Sequence, residues 1–177
     1  MNAIVKYINW HYITINAFLR GETSSLNEAE IIESIKLSSE MNTYFDKNST
    51  KKTEVFRVYR GITLPHSFKK RSYEPFVGYQ KGFTSTGLDE YFVFSSYCSE
   101  KLFILILDIQ PGVPHLFIND IITQTGIHYD QEDEVLFPPG VILTVKKVLG
   151  RNDPDNPYTI LNLQAIYCDV TYTKSKL

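Results

Sequence analysis

Four carboxylates, Asp130, Glu132, Asp133 and Glu134, stand directly before the apolar run Val135-Leu136-Phe137. A strand alternates its side chains between two faces, so an extended 132–137 puts Glu132, Glu134 and Leu136 on one side. Asp133, Val135 and Phe137 then take the other side. Two acidic groups sharing a face, partly desolvated by neighbouring aromatics, favour proton uptake by one of them. That suits one carboxylate as a base and leaves the other as a fixed negative charge. On this stretch alone a second reading stays open, a solvated acidic turn leading into a strand.

The remaining 165 or so positions decide between them only through what they bring to that stretch, and composition bounds what they can bring. A chain of 177 residues that is 43% hydrophobic and 14% aromatic makes one globular, sheet-rich domain with a real core. We expect a single domain over 1–177, helical over 1–46 and with a sheet core over 54–170. A net charge of -2 argues against a general nucleic-acid binder, whose backbone-tracking surface makes the domain basic. Charge is nevertheless segregated: Lys47, Lys51, Lys52, Arg57, Arg60, Lys69, Lys70 and Arg71 meet only Glu54 in their segment, whereas 130–134 is acidic. A phosphate-bearing ligand can bridge two such regions; the alternative for Lys47, Lys51 and Lys52 is a solvated loop.

Cys98 and Cys168 are too few for a disulfide scaffold and have no metal-ligand spacing, so both are expected as buried thiols and no metal site is expected. Asn2, Lys6, Asn9, His11 and Asn16 interrupt the apolar N-terminus, so no signal peptide is expected. No run is long enough to cross a membrane. The expectation is a soluble protein of the cytosol of its own or a host cell.

Along the chain, Ile4, Ile8, Tyr12, Ile15 and Leu19 recur at helical spacing, which predicts one amphipathic helix over 3–20 stopped by Gly21. Tyr7 and Asn16 fall off that stripe, either as surface polar residues or for a reason the spacing does not give. Ser25-x-x-Glu28 predicts a capping box opening a second helix to about Phe45, with Ile31, Ile32, Ile35 and Met41 available for burial. A loop over 46–53 follows. Residues 55–61 mix β-branched and aromatic side chains and read as a strand with Arg60 at its end. A guanidinium there, beside a glycine that lets a ligand approach the backbone, is suited to a diphosphate, although a surface arginine closing a strand has the same appearance.

Gly82-Phe83-Thr84-Ser85-Thr86-Gly87 predicts a short strand ending in hydroxyls, and a hydroxyl there can orient a carboxylate on a neighbouring strand. Residues 102–109 form a continuous apolar run, read as a strand buried on both faces. Residues 115–118 read as another strand, 119–131 as a long loop, and 141–149 and 159–170 as the strands that complete the sheet around the turn 152–157.

In chain order, Val58-Tyr59-Arg60-Gly61, then Gly82-Phe83-Thr84-Ser85-Thr86, then Glu132-Asp133-Glu134-Val135-Leu136-Phe137-Pro138-Pro139-Gly140, resemble the Arg–Ser–Glu class of mono-ADP-ribosyltransferases. Tyr7-x4-Tyr12-x3-Asn16-x2-Leu19-Arg20 is similar to that family's N-terminal segment, so the resemblance covers nearly the whole chain. It implies an α+β ADP-ribosyltransferase-like fold, two packed β-sheets around an NAD cleft with N-terminal helices. It implies NAD as substrate, no metal, and an unidentified acceptor protein as partner, with no membrane or nucleic acid.

By the same resemblance Arg60 holds the NAD diphosphate, Ser85 positions the catalytic Glu134, and Glu132 begins the Glu-x-Glu pair of arginine-modifying members. Tyr7, Tyr12, Asn16, Gly61 and Thr86 line the NAD site, and Tyr129 meets the acceptor. Phe94, with Phe92, lies where relatives place a loop over the nicotinamide, but Tyr91-Phe92-Val93-Phe94 is also a good strand sequence. The family's Ser-Thr-Ser ends here in Gly87, which removes the third hydroxyl. The implied activity is arginine-directed transfer of ADP-ribose. An NAD glycohydrolase on the same site and an inactive NAD- or protein-binding module are the alternatives.

Overall fold

The computed structural model describes residues 3–62, 77–91, 93, 103–125, 133–161 and 163–174. The expected N-terminal helix is present in three parts: α1 (Ala3–Lys6), a π-helical turn (Tyr7–His11) and α2 (Tyr12–Arg20). Gly21 ends it at φ 82°, a left-handed position that glycine occupies without a Cβ penalty.

The next helix, α3, covers Glu28–Asn48, and its capping box lies two residues beyond the expected one. Asn27 Oδ1 accepts from the Glu30 N–H at 3.0 Å, and Glu30 Oε2 accepts from the Asn27 N–H at 2.8 Å. Ser25 instead closes a short 3-10 turn, Thr23–Ser25, and donates its hydroxyl to the Glu22 carbonyl. The buried stripe of α3 also differs from the expectation. Ser34, Leu37, Ser38, Met41 and Phe45 face inward, while Ile32 and Ile35 remain 61% and 51% exposed. Two serines on the inner face let α3 lie close against α1 and α2, and that choice of face turns the isoleucines outward.

The strands are β1 (Phe56–Ile62), β2 (Val77–Gln80), β3 (Thr84–Gly87), β4 (Phe103–Ile109), β5 (Leu116–Phe117), β6 (Glu134–Phe137), β7 (Val141–Leu149) and β8 (Gln164–Tyr172). They form one mixed sheet in the order β2-β7-β8-β4-β1-β3-β6-β5, with β4 and β8 parallel and the other pairs antiparallel. The two sheets implied by the resemblance are two parts of this sheet. Five strands end at β1, three begin at β3, and a single ladder pair, Tyr59↔Gly87, joins them.

Three expectations about the sheet are corrected. Residues 118–125 are a helix, α4 (Ile118–Thr125), rather than the start of a loop, because Ile118, Ile121 and Ile122 recur at helical spacing and are buried. Strand β5 is accordingly only two residues long. Strand β8 starts at Gln164, since Thr159–Leu161 is a 3-10 turn that the proline-rich stretch before it sets up.

Burial divides between three clusters. Helices α1 to α4 and Phe83 and Leu136 enclose one, containing Ile4, Ile15, Leu37 and Met41. A second contains residues of both parts of the sheet, Val58, Leu105 and Leu107 with Val135 and Phe137. A third, around Ile104, Ile106, Tyr158 and Leu163, covers the opposite side of β4. Strand β4 is therefore buried on both faces, as its unbroken apolar run requires. Cys168 is a free, buried thiol on β8 whose pKa burial, with Asp169 adding, pushes up to about 11. Cys98 lies outside the described residues. No helix among the described residues is long and apolar enough to cross a membrane.

Candidate active site

Strands β3 and β6 pair with Ser85 opposite Leu136 and Gly87 opposite Glu134. Alternation along β3 buries Thr84 and Thr86 and exposes Ser85 between them. Ser85 thereby reaches Glu134, donating its hydroxyl to Oε1 at 2.5 Å. A bond from a hydroxyl to an ionised carboxylate is short and strong. It holds the glutamate, itself only 8% exposed, in one orientation.

Arg60 comes in from β1 and donates Nη1–H to the Ser85 carbonyl at 3.2 Å. Burial holds its guanidinium below the ordinary arginine value, with Tyr7 opposing and Arg20 adding, and it remains a cation. Its charge therefore lies beside the Ser85–Glu134 pair.

Tyr7 and Asn16 are the two residues that did not fit the helical stripe, and the π turn supplies the reason. They are nine positions apart. Regular helix turns about 100° per residue and would leave them on opposite faces. A π turn takes up one extra residue, which rotates the face that follows it by about 100° and brings the two side chains together. Asn16 Nδ2 donates to the Tyr7 hydroxyl at 2.9 Å, and Asn16 Oδ1 accepts from the Phe83 N–H at 2.8 Å. Asn16 thus ties the helix to the chain entering β3. Burial raises the Tyr7 pKa, with Glu134 adding and Asn16, Arg60 and Arg20 opposing, so the phenol stays neutral. Its ring meets Phe83 edge-on with centroids 5.2 Å apart.

Two glycines are required by close approach. A Cβ on Gly82 would lie 2.6 Å from Asn16 Oδ1, and one on Gly87 would lie 2.7 Å from Val93 Cγ2. Gly87 stands where the third hydroxyl of the motif would be because Val93 occupies that space.

The remaining expected site residues are distributed as follows. Gly61 lies half-buried in β1 opposite Ile104. Thr86 is buried and donates its hydroxyl to the Val135 carbonyl at 2.9 Å, on the side of β3 away from Ser85. Tyr12 is 48% exposed on the first turn of α2. Glu132, Tyr129, Phe92 and Phe94 lie outside the described residues, though Glu90, Tyr91 and Val93 around the last two are helical, not strand. Strand β6 starts at Glu134, not at 132.

Sequence reading gave no role to Arg20, whose guanidinium acts on both Tyr7 and Arg60 while bonding Glu22 at 3.0 Å. Asn119 was likewise missed. It donates to Asp133 Oδ1 at 2.9 Å, while the Asp133 carbonyl accepts from the Leu88 N–H at 2.9 Å, so the entry to β6 is held from two sides. Arg20 closes the motif Tyr7-x4-Tyr12-x3-Asn16-x2-Leu19-Arg20, whereas no local signal marks Asn119. Among the described residues no group of acidic, histidine and cysteine side chains could hold a metal ion.

A fixed carboxylate beside a fixed arginine suits a substrate that is anionic along its length and gains positive charge at the reacting carbon. The fold is that of the ADP-ribosyltransferase toxins. The chain is similar to the Vis toxin, an ADP-ribosyltransferase from Vibrio splendidus, with TM-score 0.67 and 17% identity over 94% of this chain and 70% of that one. It is similar to the catalytic domain of VahC from Aeromonas hydrophila, with TM-score 0.67 and 19% identity over 96% of both chains. For the C3 exoenzyme of Clostridium limosum the TM-score is 0.69 and the identity 16%, over 96% of this chain and 83% of that one. At these identities the likeness establishes the fold. The profile of the ADP-ribosyltransferase exoenzyme family matches residues 1–167, and the chain belongs to that family. Among curated proteins, none matches it in sequence. The family's reaction is the transfer of ADP-ribose from NAD.

Proposed function

We propose that the protein moves ADP-ribose from NAD to an arginine side chain of an acceptor protein, releasing nicotinamide. The observation that carries the reading is the Ser85–Glu134 hydrogen bond beside Arg60. In this reading Arg60 takes the diphosphate, and the Tyr7–Asn16 pair, Tyr12, Gly61 and Thr86 shape the NAD site around it. Phe94 covers the nicotinamide. The bond between nicotinamide and the anomeric carbon breaks with its electron pair leaving on nicotinamide, and the ribose becomes cationic. Glu134, accepting from the ribose, gains most from that developing charge, so its interaction is stronger in the transition state than in the ground state.

The acceptor nitrogen then bonds the anomeric carbon and loses a proton to Glu132. Free guanidinium is too weak an acid to lose that proton first, so transfer to Glu132 accompanies bond formation. Tyr129 stacks on the incoming guanidinium. Glu132 two positions before Glu134 supports arginine as acceptor. So does a related structure, the Vis transferase in complex with agmatine, a guanidinium compound, with TM-score 0.65 and 18% identity over 97% of this chain and 73% of that one.

The test is incubation with labelled NAD and a cell lysate, followed by mass spectrometry of the modified side chain, for the wild type and Glu132→Gln. ADP-ribosylated arginine is expected from the wild type; the variant should lose it while keeping much of the slower NAD hydrolysis. Parallel loss of both activities, or arginine transfer at the wild-type rate, overturns the division between Glu132 and Glu134. Hydrolysis without any labelled protein would make the chain an NAD glycohydrolase, and intact NAD would make it an inactive binding module.

A further inference from the structure

Asp133 is where the acidic segment becomes strand, and it is held from two sides. Pairing of β3 with β6 sets Gly87 opposite Glu134, and one step further the Leu88 N–H donates to the Asp133 carbonyl at 2.9 Å. On the other side β5 pairs with β6 through Leu116↔Leu136 and Phe117↔Val135. Each step forward in β5 is a step back in β6, so the same register continued would set Ile118 opposite Glu134 and Asn119 opposite Asp133. The backbone does not continue it, because the chain turns into α4 at Ile118. The Asn119 side chain spans the gap instead, donating Nδ2–H to Asp133 Oδ1 at 2.9 Å.

Asn119 is offered from a fixed support. Ile118, Ile121 and Ile122 of α4 are buried in one cluster with Phe83, just before β3, and Leu136 of β6. The helix that carries the donor therefore packs with the strand that follows the acceptor. Two bonds at the Asp133 Cα are then held in place, the one to its carbonyl carbon by Leu88 and the one to its Cβ by Asn119. The near-tetrahedral angles at Cα leave the third backbone direction, to the amide nitrogen, little freedom. That nitrogen is the peptide link to Glu132. Glu134 has separate holds of its own: its ladder partner Gly87, the Ser85 hydroxyl and its burial.

We infer that Asn119 is a positioning residue for the acceptor half of the reaction: by holding the Asp133 carboxylate it sets the direction from which the chain presents Glu132, and it leaves Glu134 to Ser85. The inference rests on the roles proposed above for Glu132 and Glu134. Asn119 and Asp133 act through the backbone and touch neither NAD nor acceptor in this scheme. Misplacing a reacting group by about an ångström costs up to about a hundredfold in rate, so loss of this hydrogen bond is read in transfer to the acceptor and not in hydrolysis. The bond lies at the surface and alanine is a favourable helix residue, so Asn119→Ala should leave the melting midpoint nearly unchanged.

The experiment measures, on the full chain, ADP-ribose transfer to agmatine and to the arginines of a cell lysate, NAD hydrolysis without acceptor, and NAD affinity by calorimetry. Asn119→Ala should lower transfer about tenfold, with hydrolysis and the calorimetric Kd within about twofold of wild type. Asp133→Ala should do the same, and the two together should cost little more than either alone, as for two members of one contact. Asn119→Asp sets two carboxylates against each other and should transfer more slowly still. Adding Asp133→Asn to Asn119→Asp exchanges donor and acceptor and should recover most of the transfer, a rescue that a general loss of stability would not show. Unchanged transfer in Asn119→Ala, or transfer and hydrolysis falling in the same proportion, would overturn the inference, as would failure of the exchanged pair to recover. A wild type that cleaves NAD but modifies neither agmatine nor lysate arginine would instead remove the arginine reading, and the positioning role with it.

Discussion

Ser85 and Glu134 are 49 residues apart in the chain and 2.5 Å apart in the fold, hydroxyl to carboxylate. The contact exists because β3 and β6 pair in a register that sets Glu134 opposite Gly87, two residues from Ser85. Glu134→Gln keeps the shape of the side chain and removes its charge. Transfer and NAD hydrolysis should both be lost, while NAD affinity by calorimetry stays within a few-fold of wild type; near-normal turnover would end the assignment of Glu134 as the catalytic carboxylate. Ser85→Ala should cost about 1.5–3 kcal/mol of transition-state stabilisation, the worth of a hydrogen bond to a charged group. That corresponds to about a ten- to hundredfold drop in kcat.

Arg60→Ala should weaken NAD binding itself. The guanidinium is the cation beside the Ser85–Glu134 pair, and a charge-assisted bond of this kind contributes about 1.5–3 kcal/mol. Arg60→Lys should recover only part, because an ammonium lacks the two-pronged geometry that fits a phosphate. An unchanged calorimetric Kd for Arg60→Ala would move the diphosphate elsewhere.

Gly87→Ser restores the hydroxyl of the family motif and should nevertheless be harmful. The new Cβ would meet Val93 Cγ2 at 2.7 Å, and relieving such an overlap costs about 1–3 kcal/mol. The denaturation midpoint should fall accordingly, and Val93→Ala in the same chain should restore much of the loss. A Gly87→Ser protein as stable as wild type would mean that Val93 gives way freely.

Acid should destabilise the fold through His115. Its ring is 0% exposed, among Phe56, Phe117 and Phe137 at centroid distances of 4.8, 5.0 and 6.1 Å. Nδ1 lies 3.0 Å from the Val113 carbonyl, and Nε2 has no hydrogen-bond partner among the described residues. Burial lowers the pKa of the folded state, Val113 opposing and Lys52 adding. The unfolded chain therefore takes up the proton first, at its ordinary value of about 6.5. His115 should cost no stability above that pH, and stability should decline as pH falls below it. His115→Phe should flatten the melting temperature between about pH 7 and 5; an unchanged slope would assign the acid sensitivity to other groups.

Local periodicity already specified the strands 55–61 and 102–109, the N-terminal helix and its glycine stop, because these follow from side-chain alternation and from backbone preferences of neighbours. The three motifs named Arg60, Ser85 and Glu134 as partners. Where two local patterns compete, the sequence alone misjudged. The capping box belongs to Asn27 because Ser25 is used by a preceding turn. The inner face of α3 is set by two serines that admit neighbouring helices, so Ile32 and Ile35 stay outside. The segment 118–125 became a helix once its isoleucines had a cluster to enter.

The relationships that make the site were decided only by tertiary structure. No spacing rule brings Asn16 to both Tyr7 and Phe83, since the first contact needs a π turn and the second a strand 67 residues away. None explains a glycine at 87, whose cause is a methyl group of a later turn. Residue type and local period are fixed by bonds within a few positions, so the sequence determined which groups the reaction has at its disposal. The distances between those groups depend on strand register and close packing between segments far apart in the chain, and those are properties of the folded whole.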